Sequence, residues 1–225
     1  MRCEITIQDT IKSIDFFDEL DEGQIEQLTS ISTVVSYPKK SILYYESDSN
    51  TQILFLVSGL LKIYKLDKFD NEIFLYHVYN NSMISELTRL DDESIYCFSN
   101  AEFTEDSSVL SIDYKKFKEL FLNKNILTIK LMNTLLGKTH QLQCIVNREL
   151  VFDATAKVAF MLNQDLDMFN KLKRQEVSFM LHIQPETLSR VLKRLTRNGT
   201  IEINEGKINI LNEEMLISTF RGVGV

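Results

Sequence analysis

The sequence predicts an α+β chain made of an amino-terminal β jelly roll, a long helix and a carboxy-terminal winged helix-turn-helix. Three observations carry this prediction. Between Val34 and Tyr114 lie many short β-rich runs separated by polar turns. From Lys115 the apolar residues recur at helical spacing. Near the carboxy terminus a basic helix directly follows another short helix and precedes a hairpin.

Composition is that of a globular protein, with 225 residues, 44% hydrophobic and 25% charged. The longest apolar runs, such as ILFLV at 53–57, fall far short of the roughly 20 residues of a membrane span, so no membrane partner is expected. The opening MRCEITIQDTIKSIDFFDEL carries acids where a signal peptide needs an apolar core, and the expected location is the cytoplasm. Cys3, Cys97 and Cys144 are widely spaced and form no CxxC pattern. They predict neither a disulfide framework nor structural zinc, and three thiolates cannot supply the four that an iron–sulfur cluster needs. No glycine-rich nucleotide loop and no catalytic triad, carboxylate pair or metal-ligand spacing is evident, so an enzyme is not expected.

Three domains follow in order: a β-roll over 1–114, a long helix over 115–150 and a winged helix-turn-helix over 151–225. Residues up to about Thr33 have helical periodicity, with Phe16 and Phe17 placed to dock them onto the next domain. The strand runs are TVVSY, SILYY, QILFLVSGLLKIYKL, NEIFLYHVY, SIYCFSNAEFTED and SVLSI. Ser58-Gly59 interrupts the third of these where a hairpin turn is expected. On the long helix Thr128, Leu131, Leu135, Lys138, Leu142 and Ile145 step by three and four. This a/d pattern suits self-association, with Leu131, Leu135, Leu142 and Ile145 as the apolar seam, while packing against the chain's own barrel is the alternative. Asp153 follows a break and is placed to cap the helix ATAKVAFMLNQ.

Charge is distributed unevenly along the chain. Residues 151–225 hold ten Lys/Arg against nine Asp/Glu, whereas the rest holds 15 against 23, and the whole chain carries −7. In RQEVSFMLHI, Val177, Met180 and Leu181 share one face; Pro185 then starts a second helix, because proline is tolerated only in a first turn. Leu188, Val191, Leu192 and Leu195 form its buried stripe, and Gly199 ends it in a left-handed cap. TIEI and KINIL, joined through Asn204-Glu205-Gly206, make a hairpin wing. The opposite face suits double-stranded DNA. Arg190 can donate to a guanine edge, Glu186 can accept from a cytosine amino group, and Ser189 can approach a thymine or a phosphate. Lys173, Gln175, Lys193, Arg194 and Arg197 are the expected phosphate contacts.

These segments, together with MISEL and FDATAKVAFML, resemble the CRP/FNR superfamily of transcription regulators over essentially the whole chain. Glu186-x-x-Ser189-Arg190 is similar to the FNR-type recognition helix, which implies palindromic sites with TTGA-like half-sites. The resemblance further implies a homodimer, an effector-binding barrel and contact with RNA polymerase. In the family's cyclic-nucleotide pocket a carboxylate holds the ribose and an arginine clamps the phosphate. Here Glu86 keeps the carboxylate, but Cys97 stands at the arginine position, and Leu142 and Gln143 stand where threonine and serine usually meet the purine. A neutral thiol cannot replace a guanidinium, so cyclic AMP is not the expected effector. Only Cys3 lies where FNR carries its cysteine cluster, so an iron–sulfur cofactor is not expected either. Haem stays open, with His77 the first candidate ligand and His140, Cys97 and Met83 others. So do an unidentified small ligand and a thiol switch at Cys97 or Cys144. A sensor acting through protein contacts, with a vestigial reading domain, is the competing function.

Overall fold

The computed structural model describes residues 6–221; Cys3 lies outside them. Two compact units divide between Thr139 and His140, inside the long helix.

The first unit opens with α1 (Ile7–Lys12), whose first turn is closed by a reciprocal cap: the Asp9 N–H donates to the Thr6 hydroxyl and the Thr6 N–H to the Asp9 carboxylate. A 3-10 turn at Asp15–Phe17 leads to α2 (Glu22–Ser30), capped in the same way by Asp21 and Gln24. Phe16 and Phe17 bury their rings about 5 Å from that of Phe55, so the aromatic pair docks the helices onto the sheet as the sequence predicts.

Ten strands follow: β1 (Ser32–Tyr37), β2 (Ile42–Tyr44), β3 (Ser49–Asn50), β4 (Gln52–Ser58), β5 (Leu61–Leu66), β6 (Glu72–Val78), β7 (Ser82–Met83), β8 (Ile95–Tyr96), β9 (Asn100–Phe103) and β10 (Ser107–Asp113). They form antiparallel sheets ordered β1-β10-β4-β7 and β2-β9-β5-β6, with β3 and β8 paired separately. The expected hairpin at Ser58-Gly59 is not one. β4 pairs with β10 and β7, whereas β5 pairs with β6 and β9, so the chain crosses from one sheet to the other at Gly59. Local sequence marks the break in the strand but not its partners. Gly59 has φ +98°, and a Cβ there would lie 2.8 Å from the Ser107 Cα, so the crossover requires glycine.

The helix expected over 115–150 is also two elements. α3 (Tyr114–Leu120) ends in a 3-10 turn at Leu122–Lys124, and α4 runs from Thr128 to Val146. Asn125 and Leu127 between them are left-handed, with φ of +58° and +62°, which no continuous helix allows. Leu127 is nonetheless buried with Phe117, Phe121 and Leu131, and this packing holds the turn in place.

A five-residue π-helical turn at Asn147–Val151 follows α4. The second unit then contains α5 (Ala154–Gln164), α6 (Leu166–Lys171), α7 (Arg174–Met180), α8 (Pro185–Arg197), β11 (Ile201–Asn204), β12 (Lys207–Ile210) and α9 (Glu213–Arg221). Asp153 caps α5 as expected, accepting from the Thr155 and Ala156 N–H groups. Phe169, Val177, Leu181, Leu188, Val191, Leu192 and Leu195 share one core with Ile201, Ile208 and Leu216. Among the described residues no helix is long and apolar enough to cross a membrane.

Candidate nucleic-acid interface

Pro185 occupies the first turn of α8, and Leu188, Val191, Leu192 and Leu195 bury the face toward α7. The remaining 3.6-residue period must therefore face outward. Glu186, Ser189, Arg190, Lys193, Arg194 and Arg197 are all exposed on it. Lys173 and Gln175, at the start of α7, are exposed too. Arg190 Nη2 donates to the Thr187 hydroxyl at 3.2 Å, one helical turn back, which restricts the guanidinium. Ala154 and Thr155, at the start of α5, line the same groove as Thr187 and the exposed α8 residues. The sequence reading missed Thr155 and Thr187; their only local signals are the Asp153 cap and the three-residue spacing to Arg190.

The turn from α7 to α8 is tight. The Ile183 N–H donates to the Ser178 carbonyl, and His182 adopts φ +52°, the left-handed geometry open to few side chains. Gly199 closes α8 with φ +72°, and Glu205-Gly206 (φ +50° and +82°) make the two-residue turn between β11 and β12. At this wing tip the Gly206 carbonyl accepts from Arg174 Nη2 at 2.9 Å, while the Arg174 guanidinium lies over the Phe169 ring.

In the first unit the structure brings Glu86 and Cys97 together, but with their needs met by the chain itself. The Glu86 carboxylate accepts from the Tyr76 hydroxyl at 2.9 Å and from the Phe98 N–H and Ser99 hydroxyl at 3.3 Å. Cys97 is buried, and burial, followed by the Asp48 and Glu86 charges, pushes its thiol up to about 11, which leaves it neutral. Burial and the Glu86 charge raise Tyr44 and Tyr76 in the same direction. Lys138, from α4, donates to the Ile84 carbonyl at 3.3 Å; burial pulls its ammonium down to about 8, against the opposing pull of Glu86. A phosphate at Cys97 would meet a neutral thiol rather than a guanidinium, and the Glu86 carboxylate is already hydrogen-bonded within the chain. His77 is half-buried on β6, its ring against those of Phe74 and Tyr79. Cys144 Sγ lies 4.0 Å from His140 Nδ1 along α4, and burial raises its thiol.

Of the expected seam, Leu131 is buried in the first unit's core, and Leu135, only partly buried, packs against it. Leu142 is exposed and Ile145 half-buried, while Gln143 is exposed. A different apolar line, Ile129, Met132, Leu136 and Val146, is at least half exposed. It too follows three- and four-residue steps through the exposed Thr139 and Gln143. α4 is thus apolar on two faces, and the one read from sequence contains the residues that face its own barrel.

Comparison with known proteins agrees with this architecture. Residues 34–124 match the cyclic nucleotide-binding domain family, and residues 158–219 match the Crp-like helix-turn-helix domain family. The chain is 25% identical over 211 residues to the anaerobic regulatory protein of Bacillus subtilis (strain 168), covering 88% of each protein. In fold it is similar to FixK2 from Bradyrhizobium japonicum, with TM-score 0.67, 18% identity, and 84% of this chain and 97% of that one covered. A CooA variant from Carboxydothermus hydrogenoformans gives TM-score 0.68 at 19% identity, with 89% of this chain and 90% of that one covered. A sensor-type β-roll and a Crp-like reading domain follow one another in a single chain, and the chain belongs to the CRP/FNR superfamily of DNA-binding transcription regulators rather than to any class of enzyme.

Proposed function

We propose that the protein is a cytoplasmic homodimer that reads a palindromic DNA site with TTGA-like half-sites and contacts RNA polymerase, in response to a signal other than cyclic AMP. The observation that carries this reading is the exposure of Glu186, Ser189 and Arg190 together on one face of α8, with Lys193, Arg194 and Arg197 flanking them. Arg190 can donate two parallel hydrogen bonds to a guanine, and Glu186 can accept from a cytosine amino group. Lys173, Gln175 and the flanking cations take phosphates, which raises affinity on any sequence. The exposed line Ile129, Met132, Leu136 and Val146 supports self-association through α4, with the Thr139 and Gln143 positions inside the seam. Two reading helices related by a two-fold axis would enter major grooves about 34 Å apart.

The test is selection of duplexes from a random-sequence library by the full-length protein, followed by titration of Arg190→Ala on the selected and scrambled duplexes. The variant should lose about 1–3 kcal/mol per half-site on the selected duplex only. Full retention of discrimination would refute the reading role. Leu136→Lys should yield a monomer by sedimentation, and a variant that remained dimeric would place the interface elsewhere.

A further inference from the structure

One carboxylate of the second unit stands apart from the exposed reading face. Glu149 lies in the π-helical turn at Asn147–Val151, only about a quarter exposed, and the side chains of Arg148, Lys157 and His182 converge on it. Arg148 Nε donates to one oxygen at 2.7 Å. The other accepts from Lys157 Nζ at 3.1 Å and lies 2.9 Å from His182 Nδ1. Lys157, on α5 and nearly buried, also donates to the Leu181 carbonyl at 3.2 Å. Leu181 caps the end of α7, where carbonyls lack helical partners, and His182 is the next residue.

These contacts meet at the corner that sets the angle between α7 and α8. His182 holds a left-handed conformation that costs a non-glycine residue energy, so something outside the turn must hold it there. Its ring reaches the Glu149 carboxylate, while the adjacent carbonyl is held by Lys157, itself anchored to the same carboxylate. Glu149 thus ties three elements at one point: the turn that ends α4, the helix α5 and the helix-turn-helix corner. Removing such a shared polar node takes a partner from several groups at once, so the loss is felt at the corner rather than spread along the surface.

We propose that Glu149 is a positioning residue for DNA reading: through His182 and Lys157 it fixes the corner, and with it the pitch at which Glu186, Ser189 and Arg190 are presented. The inference rests on α8 being the base-reading helix. Phosphate attraction depends on the exposed cations and tolerates small changes of pitch, whereas parallel hydrogen bonds to a base edge do not. Loss of Glu149 therefore lowers discrimination more than it lowers general affinity.

The test uses the full-length chain on a duplex selected by wild type from a random-sequence library and on a scrambled duplex of equal length. Glu149→Gln, His182→Ala and the double variant are titrated beside Arg190→Ala, with cooperative thermal unfolding of each confirming a folded state. Each single change should weaken the selected duplex about tenfold, within the coupling usual for residues of one network, and leave the scrambled duplex within about twofold. The double variant should cost no more than the worse single. Equal loss on both duplexes, or fully additive costs, would overturn the positioning role. If Glu149→Gln unfolds the chain, Glu149→Asp replaces it, and discrimination unchanged in that variant and in His182→Ala would also overturn the role. If Arg190→Ala itself keeps discrimination, the base-reading assignment fails instead, so the two failures are told apart.

Discussion

Replacing Lys138 by methionine should stabilise the protein at neutral pH, and the gain should disappear in alkali. The ammonium is pulled down to about 8 from an ordinary 10.5, chiefly by burial, while Glu86 offsets only part of that cost. Carrying the charge into this site corresponds to about 3 kcal/mol of penalty at pH 7. Methionine removes the charge and keeps the length of the side chain, but forfeits the hydrogen bond to the Ile84 carbonyl, itself worth about 1 kcal/mol. The net expectation is a gain of about 2 kcal/mol. Its pH dependence has a fixed sign: between about 8 and 10.5 the unfolded chain binds the proton that the folded chain has released, so wild-type stability rises with pH through that window. The variant lacks this rise, so its advantage should vanish near pH 10, and above that wild type should lead by up to about 1 kcal/mol, the worth of the hydrogen bond to Ile84. Urea unfolding of both chains at pH 7, 9 and 10.5 makes the measurement. A variant less stable than wild type at pH 7, or a difference independent of pH, would refute the account of a buried and penalised lysine.

Other expectations follow from particular contacts. Lys193→Ala should weaken selected and scrambled duplexes alike and reduce the slope of log affinity against log salt by about 1 per reading domain, read from binding isotherms at several salt concentrations. Gly59→Ala should cost about 2–4 kcal/mol in denaturant unfolding, because the new Cβ would meet the Ser107 backbone at 2.8 Å in a left-handed residue; an unchanged midpoint would show that the crossover can relax. Burial raises the Glu149 carboxyl, but hydrogen bonds from His182, Arg148 and Lys157 and the His182 charge outweigh it and hold it at about 2. Its ionised form therefore stabilises the fold above about pH 4.5, and that contribution is lost as pH falls toward 2. The stability gap between wild type and Glu149→Gln should accordingly be large at pH 7 and shrink at pH 3 in urea titrations.

Local chemistry made α8 legible from sequence. Pro185 marks its start, Gly199 its end, and Leu188, Val191, Leu192 and Leu195, at i, i+3, i+4 and i+7, assign its buried side. Every polar residue left over had to face outward. The long helix was less legible because its apolar residues satisfy the same stepping rule on two faces. Leu131 and Leu135 follow one face and Met132 and Leu136 the other, and only the barrel decides which is covered. Ser58-Gly59 shows a similar limit: a break is local, but a strand's partner, here β10 rather than β5, lies about fifty residues away. Glu149 and His182 are 33 residues apart with no spacing to join them, so their pairing had no signature in the sequence. Cys97 and Glu86 were named from sequence, but the hydrogen bonds that Tyr76, Phe98 and Ser99 give Glu86 come from a separate strand and from loops and had no local signature.

Arg174 illustrates how misleading a tally of positive charges can be. With its guanidinium spent on the Gly206 carbonyl and spread over Phe169, it works as a strut between the wing tip and the first turn of α7. The wing and the helix pair are thereby braced at a set gauge, like the two jaws of a calliper. On the proposed DNA-reading role, a duplex whose grooves do not match that gauge would have to deform to be gripped, and the stiffness of the DNA itself would become part of what is selected.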